Sequence, residues 1–343
     1  MNKKALVIGD IILDEYIEGN YAKRTSDDGK QIFLKEAVTY IAGGAGNVAS
    51  NIVQAGIPTA IIGVIGLDKD SQCCRNILNQ NGLDTSMIVV EQQWQIPVKT
   101  RYMIQNQQVF RSDKIRTATI EKSTEYVIMS HLRKHIQEFS SIVIADYQTG
   151  VLTKDLIPQI IQLASQYNRR IISDSKAHCL LPFKGSYLIK MNHEELGTVT
   201  KRICDSLDKI KKSALQIIKQ CQCNYLLVTW GKKGMVLLTN SSSIQCIRKH
   251  SKFSAICTIG AGDIITAYLL AGIENNLPIG QSMALANQAA EIAVSMPLTT
   301  VLRIPLLDLK YSSLSNELAV LEEIKRNGGI ENDKNSAWSQ YWT

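Results

Sequence analysis

Short apolar runs ending in a small or acidic residue recur through the first three quarters of this sequence, and segments with helical periodicity separate them. The runs are Ala5 to Gly9, Thr59 to Gly66, Ser141 to Asp146, Arg170 to Asp174, Tyr187 to Asn192 and Tyr225 to Thr229, with helices expected at Gly46 to Gln54 and Lys154 to Tyr167. Strands of that length alternating with helices constrain the chain to an α/β fold with a mostly parallel sheet. In such sheets ligands sit at the carboxyl ends of the strands, which makes Asp10, Asp146, Asp174 and Asn192 candidates at once.

The 343 residues are 45% hydrophobic and 20% charged, enough to bury a full core, so one large domain is expected over 1–310. Two stretches break the alternation, about 16–41 and 88–112, and the second has alternating positions at Val98, Thr100, Tyr102 and Ile104. They read as strands of a small β-lid, or alternatively as an extra antiparallel edge on the main sheet. After about Pro305 the composition turns polar and charged, so 311–343 reads as a helical or disordered tail too short for a second catalytic domain.

The N-terminus runs straight into a strand-like segment rather than a signal peptide, and most apolar runs are too short to cross a bilayer. A cytoplasmic protein without a membrane partner is the expectation. The formal charge is +7, but the basic residues are dispersed, so no nucleic-acid partner is expected. The eight cysteines are scattered without metal spacing and read as idle or buried thiols.

The segment Thr258-Ile259-Gly260-Ala261-Gly262-Asp263 opens an apolar helix. Glycines let the backbone approach a phosphate, and the amides of a helix start supply donors and a positive dipole end. An acid fixed there is placed to take a proton from an attacking hydroxyl; the alternative is Asp263 as a simple helix cap. No GxxxxGK[ST] occurs, and no GxGxxG follows the first strand, which argues against a P-loop ATPase or an evident dehydrogenase.

Taken in order, Gly9 to Asp14, Gly43-Gly44, Asn106 to Asp113, Ala145 to Gly150, Asp174-Ser175-Lys176, Asn192 to Glu195 and Gly260 to Asp263 resemble the ribokinase-like (PfkB) carbohydrate kinases. Within that family the sequence is most similar to the bacterial D-glycero-D-manno-heptose 7-phosphate kinases. The resemblance implies a three-layer α/β/α fold with a β-lid, and a homodimer joined through the lids. It implies ATP and Mg²⁺ as cofactors, and transfer of a phosphoryl group to the anomeric hydroxyl of heptose 7-phosphate, giving the 1,7-bisphosphate. Asp263 would be the base, with Gly260, Ala261 and Gly262 forming the anion hole. Asn192 and Glu195 would organise Mg²⁺ through water, and Thr229, Gly231, Gly234 and Asn287 would line the nucleotide.

On the acceptor side, Asp10, Asp14, Gly43, Gly44, Asn47 and Asp146 are implied to hold the sugar, and Arg111 and Lys176 its phosphate. Structural ion pairs, Lys176 with Asp174 and Arg111 with Asp113, are the competing reading for the last two. The chain departs from the family pattern where Cys257 and Ile259 replace an acid and a threonine in the glycine loop. Another sugar or sugar phosphate as acceptor, or an impaired homologue that only binds ligands, are the alternatives this leaves open.

Overall fold

A computed structural model describes residues 4–22, 29–115, 118–240, 244–247, 256–296 and 301–302. The expected tail at 311–343 lies outside the described residues. The first strand, β1 (Ala5–Gly9), leads directly into two long strands, β2 (Ile11–Tyr21) and β3 (Phe33–Gly44), and then into helix α1 (Ala45–Gln54). There follow β4 (Thr59–Ile62), β5 (Val64–Ile65), α2 (Lys69–Gln80), β6 (Val89–Val90), β7 (Val98–Ile104), β8 (Gln107–Lys114) and α3 (Lys122–His135). The next elements are β9 (Ser141–Asp146), α4 (Leu156–Gln166), β10 (Arg170–Ser175), β11 (Leu188–Asn192), α5 (His193–Thr200), α6 (Leu207–Cys221) and β12 (Tyr225–Thr229). Strands β13 (Met235–Thr239) and β14 (Ile244–Ile247) and helices α7 (Ala261–Glu274) and α8 (Ile279–Val294) complete the set.

Eight strands form the main sheet in the order β14-β13-β12-β11-β10-β9-β1-β4. It is parallel from β4 to β12; β13 then runs antiparallel to β12, and β14 antiparallel to β13. Every residue of β1 and β9 is buried, as expected of strands covered on both faces by helices. The architecture is therefore three layers, α/β/α. No helix among the described residues is long and apolar enough to cross a membrane.

The lid is a separate four-stranded sheet, β3-β2-β7-β8, and not an edge of the main one. Its strands begin earlier than 16 and later than 88: the first leaves β1 after a single residue, and Val89–Val90 pairs instead with Val64–Ile65 in a two-stranded sheet. The buried run Ile11-Ile12-Leu13 resembles the continuation of a core strand, which is why the lid boundary is hidden in the sequence.

The transition between the sheets rests on close backbone approach at Gly9, where a Cβ would stand 2.0 Å from the carbonyl oxygen of Ala145. A Gly9→Ala variant is expected to lose about 3 kcal/mol, the upper end of overpacking penalties. A lowered urea midpoint with unchanged slope would register it.

Candidate active site

Gly260 caps α7 from the left-handed region (φ 80°), which a residue with a Cβ seldom occupies. Its carbonyl accepts from the amides of Asp263 (3.0 Å) and Ile264 (3.1 Å), while the Gly262 amide has no intramolecular acceptor among the described residues. The turn thus presents an open main-chain donor at a helix N-terminus, where an anion is favoured. Beside it the half-buried Asp263 carboxylate accepts from Asn47 Nδ2 (2.6 Å) on one oxygen and from the Tyr147 hydroxyl on the other. Burial, and then the negative charge of Asp174, push the Asp263 carboxyl above its ordinary range; the two hydrogen bonds and Lys190 pull the other way.

Beneath the turn lies a second charged group. Lys190 on β11 donates to Asp174 on β10 (2.8 Å), and Thr266 on α7 donates to the same oxygen (2.8 Å). Both members of the ion pair are buried. Burial opposes ionisation of Asp174, but Lys190 and Lys176 outweigh it and hold the carboxyl below its usual value. Gly262 is glycine for a local reason: a Cβ there would stand 2.8 Å from Lys190 Nζ.

At the adjoining strand ends, Asn192 faces Thr229 across the β11–β12 ladder. Asn192 caps α5 by accepting from the Glu195 amide (2.8 Å), and Glu195 returns a bond to the Asn192 amide (2.7 Å). The other Glu195 oxygen takes Lys176 Nζ at 2.5 Å. Lys176 therefore forms its ion pair with Glu195, and not the one with Asp174 that was the competing reading. The physical reason is that Lys176 follows β10 and reaches the start of α5.

Gly231 (φ 52°) and Gly234 (φ 91°) bend the turn after Thr229, around the buried Trp230, over whose ring Lys233 Nζ stands 4.4 Å from the centroid. Asn287 is buried on α8 and donates to Glu291 one turn on (3.0 Å). Among the described residues no three acidic, histidine or cysteine side chains gather as a metal cage. One carboxylate and one amide oxygen, Glu195 and Asn192, suit a hard cation held through water and phosphate oxygens rather than by protein ligands alone.

On the other side of Asp263 the candidates divide. Asp10 is fully buried, and its carboxylate accepts from the amides of Tyr147 (2.7 Å), Thr149 (3.3 Å) and Val151 (3.1 Å). These bonds tie Asp10 to the loop after β9. Asp14 forms a buried ion pair with Arg101, and Arg111 grips Asp113 through two bonds of 2.6 Å, as the competing reading for Arg111 had it. Gly43 leaves room for Asp14 Oδ2, 2.1 Å from where a Cβ would be. Gly44 (φ 59°) caps α1, which delivers Asn47 to Asp263. Asp146 accepts from Ser175 Oγ (2.7 Å) and from Gln148. Tyr147, Lys190 and Arg101 are site residues to which the sequence reading gave no role; Tyr147 lies inside a motif it singled out, but nothing in sequence says where a tyrosine points.

The sequence profile of the pfkB family carbohydrate kinases matches residues 2–305. The chain belongs to that family. It is a carbohydrate kinase, a phosphotransferase with an alcohol acceptor. Among curated proteins, the bifunctional protein HldE of Aliarcobacter butzleri is 28% identical over 289 residues, covering 84% of this chain and 60% of the relative. The protein of the same name from Helicobacter pylori strain P12 is 29% identical over 293 residues, covering 85% and 63%. The pfkB kinase chain thus spans about three fifths of the length of these curated relatives.

Arabidopsis thaliana ribokinase, solved with ribose and ATP, superposes with a TM-score of 0.72 at 16% identity, covering 90% of this chain and 98% of that one. Escherichia coli phosphofructokinase-2, solved with potassium, gives 0.74 at 18%, covering 92% and 100%. At these identities the likeness shows the fold, which is ribokinase-like.

The site makes a pH prediction for the pfkB kinase itself. Burial, reinforced by Asp10, pushes Asp146 up to about 6 from 3.8. A raised folded-state value means that the stability contribution is complete below the unfolded value and is lost as pH rises through about 6. That loss amounts to about 3 kcal/mol between roughly pH 4 and 6. Asp10 and Asp263 are raised too, so Asp146→Asn is expected to make the decline shallower without abolishing it, as read from unfolding midpoints across that window.

Proposed function

We propose that this chain is an ATP-dependent, Mg²⁺-requiring kinase that phosphorylates D-glycero-D-manno-heptose 7-phosphate at its anomeric hydroxyl, with Asp263 as the general base. The observation that carries the reading is the Asp263 carboxylate, held by Asn47 and Tyr147 beside the open Gly262 amide at the start of α7. An acceptor hydroxyl between that carboxylate and a terminal phosphate gives up its proton to Asp263 as its oxygen attacks phosphorus. The main-chain donors then take the charge of the transferring group, and ADP departs. Asn192 and Glu195 would hold Mg²⁺ through water, and the ion would supply positive charge against the negative charge of the nucleotide phosphates. The lid keeps bulk water from competing with the acceptor.

The heptose assignment rests on the motif resemblance and on the likeness to the proteins named HldE. Arg111 remains the proposed partner of the sugar's distal phosphate, which would compete with Asp113 for a half-exposed guanidinium. Lys176, tied to Glu195, is assigned to the nucleotide side instead. Thr229, Gly231 and Gly234 are proposed to border the nucleotide. A homodimer formed lid to lid is part of this reading; the lid strands carry the exposed apolar side chains Tyr21, Leu34, Tyr40, Val109 and Phe110, on both faces of the lid sheet. Cys257 and Ile259 favour one second reading, a homologue that binds nucleotide or sugar without turnover.

ADP release measured with a panel of sugars and sugar phosphates tests the first reading. Turnover is expected with heptose 7-phosphate, dependent on Mg²⁺, and Asp263→Asn is expected to lower it by about two to four powers of ten. Tight ligand binding in calorimetry with no turnover across the panel would favour the second reading. Sedimentation is expected to give twice the 38.1 kDa of one chain.

A further inference from the structure

The loop after β9 is more tightly determined than a connection needs to be. Three alternate amides, those of Tyr147, Thr149 and Val151, converge on the Asp10 carboxylate. Between the first two, Gln148 occupies the left-handed region (φ 59°), an unfavourable conformation for a residue with a side chain. It is held there by two bonds to Asp146, at 3.0 Å from its amide and 2.6 Å from its side chain. Gly150 (φ 105°) fits only without a Cβ, which would stand 2.4 Å from the carbonyl of Ala118. All of this fixes the backbone of one residue whose side chain reaches the centre of the site, Tyr147.

We propose that Tyr147 is a positioning residue for phosphoryl transfer: its hydroxyl, aimed by the Asp10-anchored loop, holds the Asp263 carboxylate in its ionised, proton-accepting state. This rests on the reading of Asp263 as the base. A carboxylate offers about four lone-pair sites, so a phenol on one oxygen and Asn47 on the other leave room for the acceptor hydroxyl. Asn47 is itself fixed by Asn51, whose Nδ2 donates to Asn47 Oδ1 (3.0 Å), so the base is clamped from two independent elements.

The charged groups around Asp263 act in both directions. Asp174 from β10 disfavours its ionised form, Lys190 from β11 and Lys176 after β10 favour it, and the hydrogen bonds from Tyr147 and Asn47 add to the favourable side. Lys99 from the lid strand β7 stands 5.7 Å from the centre of the Tyr147 ring, and Asp14 adds a negative charge to the tyrosine's surroundings.

Tyr147→Phe removes only the hydroxyl and keeps the ring, the Lys99 contact and the main-chain bonds to Asp10. Carbon-13 NMR titration of the side-chain carboxyls, with Asp263→Asn identifying the signal, reads the base without needing turnover. The Asp263 midpoint is expected to rise by about one pH unit in Tyr147→Phe, the size expected for loss of one hydrogen bond to a charged group. The acidic limb of kcat/KM should rise with it while KM for ATP stays constant. A fluorinated tyrosine at position 147, a stronger donor of nearly the same shape, should move the midpoint down and guards against a variant that fails to fold.

An unmoved midpoint in both variants would overturn the proposal, as would a fall in rate that is uniform across pH. Turnover surviving Asp263→Asn would instead sink the base assignment, and with it the part of Tyr147 in catalysis, while the titration would still report the contact.

Discussion

A carboxylate buried away from water is tolerable only when hydrogen-bond donors replace the solvent it has lost, and Asp10 meets that condition with three main-chain amides of a loop distant in sequence. Its position explains much of the site. Asp10 stands where the chain leaves the main sheet for the lid, and its own carbonyl accepts from Ala45, the first residue of α1. One residue therefore ties together β1, the lid, the helix that carries Asn47 and the loop that carries Tyr147. The two donors that clamp Asp263 lie on separate segments, and Asp10 contacts both of those segments.

The second constraint is the glycine turn. Gly260 takes a backbone conformation that starts α7 abruptly, and Gly262 leaves space for a buried ammonium that neutralises Asp174. Buried ion pairs add little net stability, because desolvation cancels most of their attraction, whereas removing one partner strands a charge. The Lys190–Asp174 pair is better understood as a fixed local field. It sets opposite charges at the underside of the turn, close enough to bias the ionisation of Asp263 in both directions. Lys176, shared electrostatically between Asp174 and Glu195, links this group to the Asn192 cap.

Much of the architecture was legible in the sequence because burial on both faces leaves a plain signature. Ser141–Asp146 and Tyr225–Thr229 are strands at the residues where their apolar runs begin and end. The lid boundary was not legible, since Ile11 to Leu13 are as buried as the core strand before them although they belong to another sheet. For the site, residue types at strand ends and helix starts pointed to Asp263 and Asn192, because local geometry dictates where those side chains emerge, while Glu195 came only from the family resemblance. Partner choice was hidden. That Asp10 serves a loop, that Lys176 reaches Glu195 and that Tyr147 meets Asp263 are contacts between segments far apart in the chain, decided by the way the sheet and helices pack.

On the proposed reading, a proton-accepting carboxylate and main-chain donors flank the point where phosphorus changes partners. The most direct measurement is a crystal structure with a non-hydrolysable ATP analogue and heptose 7-phosphate bound together. The terminal phosphate is expected over the amides of Gly260 to Gly262, with the anomeric hydroxyl between it and Asp263 in hydrogen-bonding contact with the carboxylate. A triphosphate seated away from that turn, or an acceptor whose hydroxyl does not meet Asp263, would contradict that reading.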